Sequence, residues 1–281
     1  KYRPTHLKEI IGHEQHVARL QGMIKTGKIP NALLFLGPSS AGKTTLGRAF
    51  ATDVLGGIPH PDYLETNVAD KRTIEDMREL IGVSKLLPSG GKRRILLLDE
   101  MQQALSNPQA ASVLLTPIES PPKTTTWILC SMDPEKFQST KNGKAIANRC
   151  ATFVLNPHSE TELMAQLKRI VQGEEYEFFS KDLAKSLVDN CNGEMRTLAN
   201  LIQATANYHE GKGYKPNHKL STEDIQQVLR STESDDDLTA VRFLVALHAR
   251  KYHVAIKQAL NVQDGFGFIN KLMYLQQFVV N

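Results

Sequence analysis

The chain has 281 residues, 34 basic against 30 acidic for a formal net charge of +4, and 41% hydrophobic residues, which fits about two ordinary globular domains. A charge that small does not by itself argue for nucleic acid, and no apolar run approaches a bilayer span. Three scattered cysteines, Cys130, Cys150 and Cys191, argue against a disulfide framework or zinc site and fit a reducing compartment.

The chain opens on Lys1 rather than methionine, so residues before it are expected to be missing, and the basic opening is not a signal peptide. Periodicity predicts a helix over residues 14–26 and an apolar strand over 32–36. Directly after that strand comes Leu36–Thr45, LGPSSAGKTT, which fits G-x-x-x-x-G-K-[ST] with Gly37, Gly42, Lys43 and Thr44 in register. Strand, loop and helix in that order suit phosphate. Backbone amides of Gly37, Ser39, Ser40, Ala41, Gly42 and on to Thr45 can close on the β-phosphate, with Pro38, which has no N–H, completing the loop. The Lys43 ammonium can reach the β- and γ-phosphates, and the Thr44 hydroxyl can ligate Mg²⁺.

A helix over 43–53, a short strand over 63–67 and a helix over 73–86 follow, the last capped by Thr73 with Asp76 at the capping-box position. Seven basic residues fall between Lys71 and Arg94 against three acidic ones, whereas Glu233 to Asp237 is an acidic run. Beyond the loop Pro88-Ser89-Gly90-Gly91-Lys92, the strand RILLLDE delivers Asp99 and Glu100 at its carboxyl end. Asp99 can hold Mg²⁺ through water and Glu100 can orient or deprotonate a lytic water, provided that this strand neighbours the one before the phosphate loop. The pattern then predicts a helix over 107–118, opened by Asn107 before Pro108, and strands over 125–130 and 152–155. Pro157-His158-Ser159 punctuates the chain, and only helical patterns follow to residue 230, broken by a polar loop at 209–219. Residues 231–237 read as a linker, and Val241, Leu244, Val245, His248, Tyr252, Ala255 and Leu260 mark a further helical unit. The fold class expected is α/β: a phosphate-loop domain with a parallel sheet, followed by small helical domains.

Five ordered boxes over residues 1–230 resemble the clamp-loader type of AAA+ ATPase. KYRPTHLKEIIGHEQHVARL is similar to the opening box of its subunits, and LLTPIESPPKTTTWILCSMDPEK at 114–136 to a stretch of the bacterial motor subunit. IANRCATFVL at 146–155 resembles the S-R-C box, and GEMRTLANLIQ at 193–203 the sensor-2 helix; the phosphate loop with its acidic strand completes the set. This resemblance implies an AAA+ domain over 1–157, a helical lid over 158–231 and an incomplete oligomerisation collar over 232–281. It implies ATP and Mg²⁺ as cofactors, with Tyr2, Arg3 and Ile11 bordering adenine. Arg149 would act in trans on the next subunit's ATP, and Arg196 on the lid would reach ATP in its own subunit. Helix starts near Thr73 and Asn107 would track the DNA backbone, with Arg72, Arg78, Lys85 and Lys92 as phosphate contacts. Partners implied are other loader subunits in a hetero- or homo-oligomer, pentameric in the family pattern, a ring-shaped sliding clamp and primer-template DNA, with no membrane. The setting implied is cytoplasmic and nucleoid-associated, or host cytoplasm for a viral source.

Departures from the family pattern are specific. Asn148 replaces the serine of the S-R-C box, Met101-Gln102-Gln103 follows Glu100, and the zinc-binding cysteines of the bacterial motor subunit are absent. At the sensor-1 position stands Met132, whose thioether cannot donate a hydrogen bond, so either Ser131 substitutes or hydrolysis is slower. Two other readings stay open: a different AAA+ DNA-associated switch, such as a helicase loader or transposition regulator, and a loader subunit that binds ATP without turning it over.

Overall fold

The computed structural model describes residues 2–70, 73–132 and 134–232. The expected linker, acidic run and collar beyond residue 232 lie outside the described residues, as do Lys71 and Arg72. Contacts divide the chain into two compact units. The first holds residues up to Tyr176 together with Val188–Ala199, and the second holds Glu177–Leu187 and the residues from Asn200 on. That division differs from a boundary at residue 157, because α9 (Glu160–Gly173) belongs to the first unit.

In the first unit, β1 (Ala32–Leu36), β2 (Tyr63–Asn67), β3 (Arg94–Asp99), β4 (Thr125–Ser131) and β5 (Ala151–Val154) form one parallel sheet in the order β2-β3-β4-β1-β5. The α/β expectation therefore holds, and β1, β2 and β3 have the extents read from sequence. β1 and β3 are legible because burial on both faces turns a parallel strand into a continuous apolar run, whereas the edge strand β2 is only half-buried. On one face Leu34, Leu96 and Leu129 pack with Met77 and Leu80 of α3 (Ile74–Ser84). On the other, Leu33, Phe35, Leu97 and Ile128 pack with Leu20 of α1 (Glu14–Thr26) and with Leu46 and Phe50 of α2 (Lys43–Leu55).

The expected helix over 107–118 is instead two short ones, α5 (Pro108–Val113) and α6 (Leu115–Glu119), preceded by the single turn α4 (Gln102–Leu105). Pro117 has no N–H, and its ring clashes with a helical carbonyl at 113, so the ladder breaks near Leu114 and restarts with Pro117 in a first turn. Two further short helices, α7 (Pro134–Ser139) and α8 (Lys141–Ala147), precede β5. The Thr140 hydroxyl caps α8 by accepting from the Gly143 amide at 3.0 Å.

Among α10 (Lys181–Asp189), α11 (Met195–Gly211) and α12 (Thr222–Thr232), the first two contribute residues to both units. α11 continues three residues, to Gly211, into the stretch read as a polar loop. The second unit buries Leu183, Leu187, Leu201, Ile202 and Val228, and stacks Phe178 on His209 with centroids 4.1 Å apart. Asp224 accepts from the Ser221 amide (2.9 Å), its hydroxyl (2.8 Å) and the Tyr208 hydroxyl (2.8 Å), and these donors hold its carboxyl down at about 2 against the upward push of burial. Among the described residues no helix is long and apolar enough to cross a membrane.

Candidate active site at the phosphate loop

The loop between β1 and α2 is shaped by backbone conformations that few side chains tolerate. Gly42 has φ +90°, Ser40 has φ +57°, and a Cβ on Gly37 would strike the Leu155 carbonyl. Lys43 opens α2 and is buried, with its ammonium donating to the carbonyls of Gly37 (2.9 Å) and Pro38 (2.7 Å). Burial pushes its pKa down, while Asp99 and Glu100 pull it up.

β3 does not neighbour β1, contrary to the condition attached to Asp99, because β4 lies between them. Asp99 nonetheless meets the phosphate loop, since the Thr44 hydroxyl donates to Asp99 Oδ2 at 2.7 Å. Gly47 makes this possible by letting α2 lie close across both strands. A Cβ there would stand 2.9 Å from Leu97 Cδ1 and 3.1 Å from Ile128 Cγ2. Hydroxyl and carboxylate together form a hard-oxygen donor pair that fits Mg²⁺, an ion that takes one or two carboxylates and completes its shell with water and phosphate.

Glu100 follows with φ +57°, a left-handed conformation that costs a non-glycine residue about 1 to 3 kcal/mol and clusters at functional sites. Its amide donates to Asp99 Oδ1 at 3.0 Å. Its carboxylate is engaged by Gln102, whose Nε2 donates to Glu100 Oε2. Ser131 is fully buried, and both its hydroxyl (3.0 Å) and the Met132 amide (3.1 Å) donate to Gln102 Oε1. Sequence reasoning noted Gln102 only as unusual; its place two residues after Glu100 was the available signal.

Around this core the charges favour an anion. Arg3 donates through Nε to the Thr45 hydroxyl (3.0 Å), and burial followed by Arg48 lowers its pKa, with Arg196 adding to that and Glu65 and Asp99 opposing. Arg196, in the first turn of α11, also depresses Lys43. Arg48 grips Glu65 in two bonds, 2.7 and 2.5 Å, so the Glu65 carboxylate is already neutralised. Tyr2 lies against α9, where a Cβ on Gly173 would strike its hydroxyl, and half-buried Ile11 precedes Gly12, where a Cβ would strike the Glu162 carboxylate. Sequence reasoning missed two histidines here. His13 donates through Nε2 to the Ala41 carbonyl (3.0 Å), and its ring centroid is 4.9 Å from that of His158.

Arg149 lies elsewhere. It occupies the turn before β5, at the amino end of the sheet, donating to Glu119 Oε2 and to the Ala145 carbonyl, each at 2.9 Å. β5 passes Leu36 at Val154, so Arg149, which precedes β5, and the phosphate loop, which follows β1, lie at opposite ends of these two parallel strands.

The DNA candidates sit on α3, on α5 and in the loop before β3. Thr73 caps α3 as expected, its hydroxyl accepting from the Asp76 amide at 3.1 Å, and Asn107 caps α5 by accepting from the Ala110 amide at 3.3 Å. Arg78 and Lys85 are two turns apart on the exposed side of α3, with Arg78 3.7 Å from Glu75, and exposed Lys92 belongs to the loop before β3. Arg72 lies outside the described residues. Arg93 and Arg94 leave the basic cluster, Arg93 by donating to the Thr126 hydroxyl at 2.7 Å and Arg94 by pairing with buried Asp62 at 3.1 Å. After α3, Leu86 and Leu87 are 56% and 81% exposed, an apolar pair that sequence reasoning passed over before the Pro-Ser-Gly-Gly turn.

Comparison with known proteins agrees with this geometry. A family described as DNA polymerase III, delta subunit, matches residues 57–159. The replication factor C small subunit of Methanothermobacter thermautotrophicus is 33% identical over 75% of this chain, which spans only 63% of that protein. The replication factor C small subunit of Natronomonas pharaonis is 32% identical over 86% of this chain and 73% of its own length. Among solved structures, the Thermotoga maritima RuvB Holliday junction branch migration motor aligns with a TM-score of 0.66 at 16% identity, covering 89% of this chain and 80% of that one, a likeness of fold.

Proposed function

Because the chain belongs to the replication factor C small-subunit family of clamp-loader AAA+ proteins, we propose that it is an ATP-hydrolysing subunit of an oligomeric sliding-clamp loader acting on primer-template DNA. The observation that carries the hydrolytic reading is the Thr44–Asp99 hydrogen bond, which sets the phosphate loop against the acidic end of β3 with Glu100 alongside. Lys43 would exchange the Gly37 and Pro38 carbonyls for phosphate oxygens. Thr44 and Asp99 would hold Mg²⁺, whose charge offsets that of the phosphates when it is bound. Glu100 would orient the water that attacks the γ-phosphorus and take its proton, leaving ADP and phosphate. Tyr2, Arg3 and Ile11 border the base, and Arg196 senses nucleotide in its own subunit.

Arg149 stands at the wrong end of the sheet for its own nucleotide, which supports a role in trans on a neighbour's ATP. ATP binding would assemble subunits into a spiral that holds the clamp open. DNA would then complete the interface, and hydrolysis would release the clamp. Arg78, Lys85, Lys92 and the capped helix starts at Thr73 and Asn107 are proposed to follow the DNA backbone without reading bases, and Arg72 keeps that assignment from sequence alone. Exposed Leu86 and Leu87 suit an apolar pocket on the clamp. The division into ATPase, lid and collar at 157 and 231 is part of the same proposal, as is a place in the cytoplasm beside the DNA.

ATPase rates measured alone, with primer-template DNA, and with DNA plus a candidate ring clamp test this reading. Stimulation by DNA that rises again with clamp is the expected result. Stimulation by DNA alone would mark a different AAA+ switch, and a flat low rate with tight ATP binding would mark a passive subunit.

A further inference from the structure

Directly after β4 stands Met132, whose side chain has no hydrogen to donate. Polar contact from that strand end leaves by another route. The Met132 backbone N–H can only donate, so the atom of Gln102 that it meets at 3.1 Å must be the amide oxygen. The Ser131 hydroxyl, whose one hydrogen is shared between this oxygen at 3.0 Å and the Met132 carbonyl at 3.2 Å, adds to that hold. With its oxygen fixed by the Met132 amide, the carboxamide must turn its NH₂ away from β4, and there it donates to Glu100 Oε2. The Ser131 carbonyl in turn accepts from the amide of Gly37, the first residue of the phosphate loop, at 3.3 Å. The circuit closes through the Glu100 amide to Asp99 (3.0 Å) and from Asp99 to Thr44 (2.7 Å).

We propose that Gln102 is a positioning residue for hydrolysis, holding Glu100 Oε2 in an orientation set by the Ser131 hydroxyl and the Met132 amide, and thereby joining the end of β4 and the phosphate loop to the base. This rests on the reading of Glu100 as that base. In this role Gln102 acts through Glu100. It commits one oxygen of the carboxylate and fixes the plane of the other, a contribution to geometry, and misplacement of a reacting group by about 1 Å costs on the order of 10²-fold in rate. Glu100 needs such a hold because its own backbone sits in a left-handed conformation at the end of a strand.

The test uses the full chain in its assembly with DNA and clamp. Gln102→Leu, which keeps the volume and removes both hydrogen-bonding groups, is expected to lower kcat about 10- to 100-fold while affinity for a fluorescent ATP analogue stays within about twofold. In a Glu100→Gln background the same substitution should cost nothing further, a non-additivity that a purely structural role would not produce. Ser131→Ala, which leaves the Met132 amide in place, should lower kcat by less and add little to Gln102→Leu. Unchanged kcat in Gln102→Leu, alongside a large loss in Glu100→Gln, would overturn the inference and leave the hydrolytic reading standing. Parallel loss of ATP binding and kcat would also overturn it, since Gln102 would then be scaffold. Normal turnover in Glu100→Gln would instead remove the premise.

Discussion

At the scale of single residues, the phosphate loop and Asp99-Glu100 were legible because their chemistry is written in consecutive positions, whereas the second layer around them is assembled by the fold. Glu100→Gln keeps the shape of Glu100 and removes its basicity, so ATP and clamp binding should persist while turnover falls about 10² to 10⁴-fold. Single-turnover hydrolysis measured beside nucleotide binding checks this. His13 and His158 belong to the second layer and come from distant parts of the chain. Burial lowers the pKa of both; Glu162 and Glu14 oppose the shift at His13, where His16 adds to it, and at His158 the His13 charge adds while Glu162 opposes. His158 Nδ1 stands 3.5 Å from Glu162 Oε2. Because the folded pKa lies below the ordinary value of about 6.5, the unfolded chain binds more protons in the interval between them. Stability from this pair is therefore complete above pH ~6.5 and is lost as pH falls from there through the folded pKa values. Asparagine tolerates the left-handed conformation of His13, so His13→Asn combined with His158→Asn removes the titration with little backbone strain. Melting temperature should drop more between pH 7.5 and 5.5 for the natural chain than for this variant, and equal drops would show that the pair does not change protonation on unfolding.

At the scale of elements, legibility followed the kind of burial each element meets. β1 and β3 could be bounded from sequence because residues covered on both sides are apolar without interruption, whereas β2, a half-buried edge strand, was bounded without such a run. The helix after Asn107 could be started but not ended from sequence, because its apolar spacing is helical throughout while Pro117 divides its backbone. Caps are local, and the Thr73–Asp76 box was legible. Thr73→Ala should lower stability by about 1 kcal/mol, read from the denaturant midpoint at unchanged slope. The loop after α3 depends on something less visible. Asp62 is buried, pairs with Arg94 at 3.1 Å and accepts from the amides of Ser89 and Gly90, each at 2.8 Å. Burial alone would push its carboxyl up, but these amides outweigh burial and keep it below the usual range. Asp62→Ala would strand the Arg94 charge and release the loop that follows Leu86 and Leu87, so it should destabilise by about 3 to 5 kcal/mol, far more than the loss of a cap. A chemical-denaturation series of both variants decides the ranking.

At the scale of the whole molecule, the decisive fact is that one parallel sheet carries the phosphate loop at its carboxyl end and Arg149 at the other. Strand order was not legible in the sequence, because nothing local says that β4 inserts between β1 and β3, whereas the place of Arg149 follows from strand direction alone, since it precedes β5 while the phosphate loop follows the parallel β1. Arg149 is 31% exposed and held by Glu119, itself 58% exposed. A pair that open to solvent is worth about 0 to 1 kcal/mol, so a neighbour's phosphate can compete for the guanidinium. Arg149→Ala should then leave the chain's own ATP binding intact and abolish hydrolysis at the interface that it faces, a loss of about 10³ to 10⁵-fold if the arginine acts as a finger. Complementation separates trans from cis action where copies of this chain adjoin one another. Arg149→Ala subunits keep an intact phosphate loop, and Lys43→Ala subunits keep an intact arginine, so a 1:1 mixture restores about one interface in four only if each active site draws on two chains. Activity in the mixture above the sum of the separate preparations is the expected result. No recovery, with mixed assembly verified by size and mass, would mean that Arg149 serves its own subunit or none, and the separation across the sheet would then have no part in hydrolysis.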